Sequence, residues 1–150
     1  MARICMPRTL RVTDPRRPMH LLQTYLVEDS PLIRENLIAT LEELAPVRVV
    51  GTAEGESDAR NWLASHRVDL VIIDLFLKSG SGLGLLRNPP RGPPGARHVV
   101  LSNYATDEMR ARCLALGADD VFDKSNQIDA LIAYCCRLAH LGGAAAPRSS

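Results

Sequence analysis

No stretch of the chain approaches the roughly 18 to 20 consecutive apolar residues that cross a bilayer. The arginines near the N-terminus are not followed by the apolar run of a secretory leader. Neither a membrane-spanning nor an exported protein is expected. Cysteine is scarce: Cys5, Cys113, Cys135 and Cys136 have neither the C-x-x-C spacing of a metal knuckle nor the density of a disulfide scaffold, which points to small buried apolar residues and a reducing cytoplasm. Net charge is nearly absent too, at +1. Residues 1–19 hold five arginines against the single acid Asp14, a surplus of four, so the remainder carries −3 and offers no basic face to nucleic acid.

What is present is patterning. With 150 residues, 46% of them hydrophobic, the chain can bury one substantial core. Regular periodicity starts near His20, which predicts a disordered extension over residues 1–19, a folded domain over 20–141 and a flexible tail over 142–150. Met19 is a candidate native start, which the intact mass of the protein from its own host decides.

From there short apolar runs alternate with helical patterns five times, the signature of an α/β parallel sheet flanked by helices. Strands are expected at Leu21–Val27, Val47–Ala53, Val68–Asp74, His98–Ser102 and Val121–Asp123. Ser30-Pro31 marks a helix start, a capping side chain followed by proline at the first helical position. Ile33, Leu37, Leu41 and Leu44 form that helix's apolar stripe. Further helices are expected over Ser57–His66 with Ala59, Trp62 and Leu63 inward, over Leu83–Arg87, over Thr106–Leu116 ended by Gly117, and from Gln127 to Leu141. The last carries Ile128, Leu131, Ile132, Cys135 and Leu138 inward. The proline-rich run from Asn88 to Gly95 forbids regular structure.

Polar groups sit where these strands end: Glu28-Asp29, Asp74, Ser102, and Lys124 after the fifth. In a right-handed parallel sheet those ends share one edge, where open α/β folds bind ligands. Three carboxylates meeting there repel one another unless a cation lies between them. Magnesium suits a site of few carboxylates completed by waters and phosphate oxygens, whereas calcium asks for a denser oxygen cage. Taken singly, Glu28-Asp29 are acids that favour a helix N-terminus, Ser102 a strand terminus and Lys124 a solvated charge. Asp74 is harder to dismiss, because the apolar run before it would bury an isolated carboxylate. Gly80-Ser81-Gly82-Leu83-Gly84 fits neither G-x-G-x-x-G nor a Walker lysine and reads as a turn closing over the site. Trp62 reads as core and His66 as the end of its helix.

Val27-Glu28-Asp29-Ser30, Ile73-Asp74-Leu75, Leu101-Ser102-Asn103 and Asp123-Lys124-Ser125, in that order, resemble the receiver domain of two-component response regulators over about residues 20–141. The resemblance implies a doubly wound, flavodoxin-like fold of strand order 2-1-3-4-5 with helices on both faces. It implies phosphoryl transfer from a sensor histidine kinase or histidine phosphotransfer protein to Asp74, with Mg²⁺ held by Glu28, Asp29, Asp74 and the backbone carbonyl of Phe76. Lys124 and Ser102 complete the chemistry. The chain is then a signalling switch that phosphorylates and dephosphorylates itself, and not a turnover enzyme.

With only a short tail after the last helix, a stand-alone receiver without a DNA-binding helix-turn-helix is expected. Output then passes by protein contact through the face made by the fourth helix, fifth strand and last helix, to a downstream protein or a second copy of the chain. Two rival readings are an aspartyl-nucleophile phosphatase of the haloacid-dehalogenase type, which wants an acid where Phe76 stands, and a binding module that works without phosphorylation. Two departures from the family stand out. Val121 occupies a position where many receivers carry a switching aromatic, while Phe122 points to the opposite face. Phe76, Asn103 and Tyr104 crowd the site, which predicts slow attack by water.

Overall fold

A computed structural model of the protein describes residues 21–77, 80–87, 95–103 and 105–140. The expected N-terminal extension and C-terminal tail, most of the proline-rich loop, and Tyr104 lie outside the described residues. Ten elements alternate along the chain: β1 (Leu22–Val27), α1 (Pro31–Leu44), β2 (Val47–Ala53), α2 (Glu56–Leu63), β3 (Leu70–Asp74), α3 (Gly82–Arg87), β4 (Arg97–Ser102), α4 (Asp107–Ala115), β5 (Asp120–Asp123) and α5 (Ile128–His140). The strands form one sheet in the order β2-β1-β3-β4-β5, parallel at every pairing, so the doubly wound, flavodoxin-like architecture expected from the sequence is the one observed.

Side chains alternate across the sheet and divide the core in two. Leu22, Leu26, Leu70, Ile72, Val99, Leu101 and Phe122 meet Leu37 and Leu41 of α1 and Leu131, Ile132 and Cys135 of α5. Tyr25, Val27, Val71, Ile73, Val100 and Val121 meet Ala59 and Leu63 of α2, Leu85 and Leu86 of α3 and Cys113 of α4. Each face is thus covered, and β3, buried at every position, runs through the middle. Val121 and Phe122 fall on opposite faces as their adjacent positions require.

Local chemistry sets the element ends. The Ser30 hydroxyl accepts from Ile33 N, and that of Thr106 from Met109 N, each cap contributing on the order of 1 kcal/mol. Gly117 follows α4 at φ 111°, a left-handed conformation that glycine adopts without a Cβ clash. Trp62 stacks between Tyr25 and His66, and the His66 ring pairs with the Trp62 carbonyl at 2.8 Å, so the two residues pack and cap as expected.

One packing expectation fails for an identifiable reason, and β2 carries an irregularity that the sequence pattern does not signal. Leu44 is exposed rather than buried, because α1 ends there and the extended Ala45 takes the core position. In β2 the register against β1 shifts between Thr24 and Tyr25, leaving Val50 as the extra residue of a bulge. The bulge reverses the strand's facing, so Val47 and Val49 join the α1/α5 side and Ala53 the other.

Candidate functional site

Because all five strands run the same way, their carboxyl ends meet at one edge. Glu28 and Asp29 follow β1, Asp74 closes β3, Ser102 closes β4 and Lys124 follows β5. Carboxylate oxygens of Glu28, Asp29 and Asp74 lie within 4.8 Å of one another. Glu28 is 2% exposed, Asp74 7% and Ser102 0%. Burying such groups is costly unless they are paired.

Lys124 supplies a large part of that pairing. Its Nζ donates to Glu28 Oε1 at 2.7 Å and to Asp74 Oδ2 at 3.3 Å. Burial pulls the Lys124 pKa down, but the Glu28 hydrogen bond and the Asp74 charge outweigh it and leave the group above its usual value, hence protonated at neutral pH. Asp74 is pushed up, first by burial and further by Glu28, against the opposing pull of Lys124. Three acids against one ammonium leave a surplus of negative charge. An all-oxygen cluster of that kind fits a hard divalent cation.

Backbone contacts fix each group. Glu28 N donates to Ala53 O on the neighbouring strand, and Glu28 Oε2 accepts from Ser30 N at 3.2 Å. Arg34, one turn into α1, donates to the Glu28 carbonyl at 2.9 Å and pairs with Glu54 at 3.4 Å. Phe76 N donates to Asp74 Oδ1 at 3.3 Å, so the two acceptor oxygens have different partners. The Phe76 side chain is 55% exposed beside the site. At the far side Lys124 N donates to Ser102 O, and Gln127 Oε1 accepts from both Asp123 N and Arg110 of α4. Arg110 also donates to the Val121 carbonyl.

All the residues expected from sequence at the sheet edge are therefore brought together. Arg34, Arg110 and Gln127 were missed. Arg34 left a signal, since a cation in a first helical turn opposes the macrodipole and implies a local anionic partner. Beside Lys124 opens a cavity of about 330 Å³ between α1 and α5, lined by Ile33, Asn36, Leu37, Thr40, Asn103 and Ile128. Among the described residues no helix is long and apolar enough to cross a membrane.

Comparison with known proteins gives a concordant result. Residues 24–135 match the family model described as the response regulator receiver domain. Response regulator UvrY of Escherichia coli is 26% identical over 104 residues, which cover 69% of this chain and 48% of UvrY. A crystal structure of a response regulator from Burkholderia pseudomallei with a phosphorylated aspartic acid, a calcium ion and citrate superposes with TM-score 0.62 at 25% identity, covering 78% of this chain and 68% of that one. The crystal structure of the beryllofluoride-activated N-terminal receiver domain of Klebsiella pneumoniae RstA gives 0.64 at 27% identity, over 79% and 97%. This chain spans about half the length of UvrY.

Proposed function

The chain belongs to the response regulator receiver domain family, and from that premise we propose that it is a cytoplasmic phosphorylation switch, with Asp74 the acceptor of a phosphoryl group from a histidine kinase or a histidine phosphotransfer protein. The carrying observation is the convergence of Glu28, Asp29 and Asp74 oxygens within 4.8 Å of one another at the end of a wholly buried strand, with the Lys124 ammonium between two of them. The phosphorylated aspartic acid in the Burkholderia relative supports the same reading.

In the proposed step a carboxylate oxygen of Asp74 attacks phosphorus in line as the bond from phosphorus to the donor imidazole nitrogen breaks, and the imidazole leaves with that electron pair. Asp74 thereby becomes an acyl phosphate. Glu28, Asp29, Asp74 and the Phe76 carbonyl would hold Mg²⁺, which supplies charge neutralisation for the transferring oxygens. Lys124, already protonated and directed at Asp74, stabilises the same charge. Ser102, buried at the end of β4, donates to the new phosphoryl group, and the contact draws the following loop inward. The receiver domain spans residues 20–141, and the α4–β5–α5 face carries the output to a protein partner.

Beryllofluoride with Mg²⁺ tests the reading. The native chain should show saturable shifts of the Phe76 and Lys124 amide resonances, and Asp74→Asn should abolish them. Identical spectra with and without the reagent would contradict it.

A further inference from the structure

The Gly80-Ser81-Gly82-Leu83-Gly84 segment binds no nucleotide in the reading above, yet its three alternating glycines have a structural cause. A Cβ on Gly80 would lie 2.4 Å from the Cβ of Glu56, and one on Gly84 2.4 Å from Glu56 Oε2. Gly82 faces the other way, where a Cβ would meet the Asp74 carbonyl at 2.4 Å. The segment is thus pressed between α2 and the end of β3. Glu56 fills the gap that the outer glycines leave: Oε1 accepts from Ser81 N at 3.0 Å and Oε2 from Arg60 at 2.8 Å, and Arg60 reaches on to the Gly84 carbonyl at 3.2 Å. An i,i+4 ion pair on a helix surface contributes a few tenths of a kcal/mol and needs no such surroundings.

The clamp leads back to the acceptor by short steps. Ser81 bridges to Phe76 as an antiparallel pair, Gly82 N donates to Leu75 O at 3.2 Å, and Phe76 N donates to Asp74 Oδ1 at 3.3 Å. We infer that Glu56, braced by Arg60, is a positioning residue that fixes the backbone of Phe76 against Asp74 and so sets the affinity of the site for a divalent cation. The cation half of this inference rests on the function proposed above. The backbone half stands without it.

The test uses the full chain with Glu56→Ala, Glu56→Gln and Gly84→Ala, reading amide spectra in EDTA, Mg²⁺ titrations and thermal unfolding. In EDTA, Glu56→Ala should shift the Phe76 amide resonance relative to the native chain. Mg²⁺ should then bind about tenfold more weakly, the low end of what loss of an indirect metal-site support costs. Glu56→Gln keeps an oxygen for Ser81 N and should lose only about twofold to threefold, a partial rescue beyond what bulk stability predicts. Gly84→Ala displaces the carboxylate without removing it. Because alanine is the better helix former, the substitution does not lower the intrinsic helix propensity of α3. Native Mg²⁺ affinity and an unmoved Phe76 resonance in Glu56→Ala or Gly84→Ala would overturn the inference, even if Tm falls. If the native chain binds no Mg²⁺, the proposed function fails, while the Phe76 shift in EDTA still decides whether Glu56 positions the backbone.

Discussion

The two lips of the Asp74 cleft are built differently. On the β3 side the backbone is pinned, with three glycines pressed between Glu56 and the strand end and the Glu56–Arg60 pair fastened to Ser81 and Gly84. On the β4–β5 side Ser102 closes β4 with its carbonyl held by Lys124 N, and the Lys124 ammonium divides between Glu28 and Asp74. In the proposed switch, phosphorylation of Asp74 would change the charge on one of those two partners. One lip would then hold the proposed acceptor still, while the other carries the group whose partner changes. Val121 provides no ring to swing on that second lip. Arg110, bound to the Val121 carbonyl and Gln127, ties α4 to the strand there instead.

The largest expected effect separates the lips through Lys124. Lys124→Ala removes a charged donor from the developing phosphoryl charge, which should slow uptake from acetyl phosphate about a hundredfold by intact-mass kinetics. A rate within twofold of native would place the neutralising charge elsewhere. Next in size is Asp74→Asn. The folded-state pKa of Asp74 is raised, so its ionised form costs stability at neutral pH, and that cost disappears only as pH falls through the folded pKa. A neutral amide should therefore stabilise the protein in EDTA at pH 7 by on the order of 1 kcal/mol, a few degrees in Tm. Destabilisation would mean that pairing with Lys124 outweighs burial.

Smaller effects follow on the pinned lip. Phe76 is more than half exposed beside Asp74, and Phe76→Asn should open a path for water and speed loss of the proposed phosphoryl group severalfold. An unchanged half-life would remove the ring as a shield. The smallest concerns acid stability. Glu56 sits below its ordinary value of 4.5, chiefly through the Arg60 hydrogen bond and then the Ser81 amide. The sign makes its contribution present above that value and lost as pH falls through the lower folded pKa. Native Tm should therefore fall more steeply than that of Glu56→Gln on acidification below about pH 5.

How much of this was legible in sequence depends on whether a signal was local. The acid, hydroxyl and lysine at successive strand ends could be read because each closes an apolar run, and parallel topology alone carries them to one edge. Element bounds shifted by one to a few residues where hydrogen bonding, not hydropathy, decides the end; α2 stops at Leu63 where the pattern extended to His66. The β2 bulge was hidden because an extra residue reverses facing without changing composition. Glu56 was hidden for a different reason: its partners Ser81 and Gly84 are 25 and 28 positions away, and only the fold brings them together. The glycine alternation was visible, but its cause lay on another helix.

The most direct measurement is to incubate the full chain with acetyl phosphate, with Mg²⁺ and with EDTA, and to map any added mass to a residue. A single phosphoryl group that appears only with Mg²⁺, resides on Asp74 and is lost in Asp74→Asn is the predicted result. A chain that stays unmodified at saturating donor and Mg²⁺, or is modified equally in EDTA or at another residue, would contradict the account.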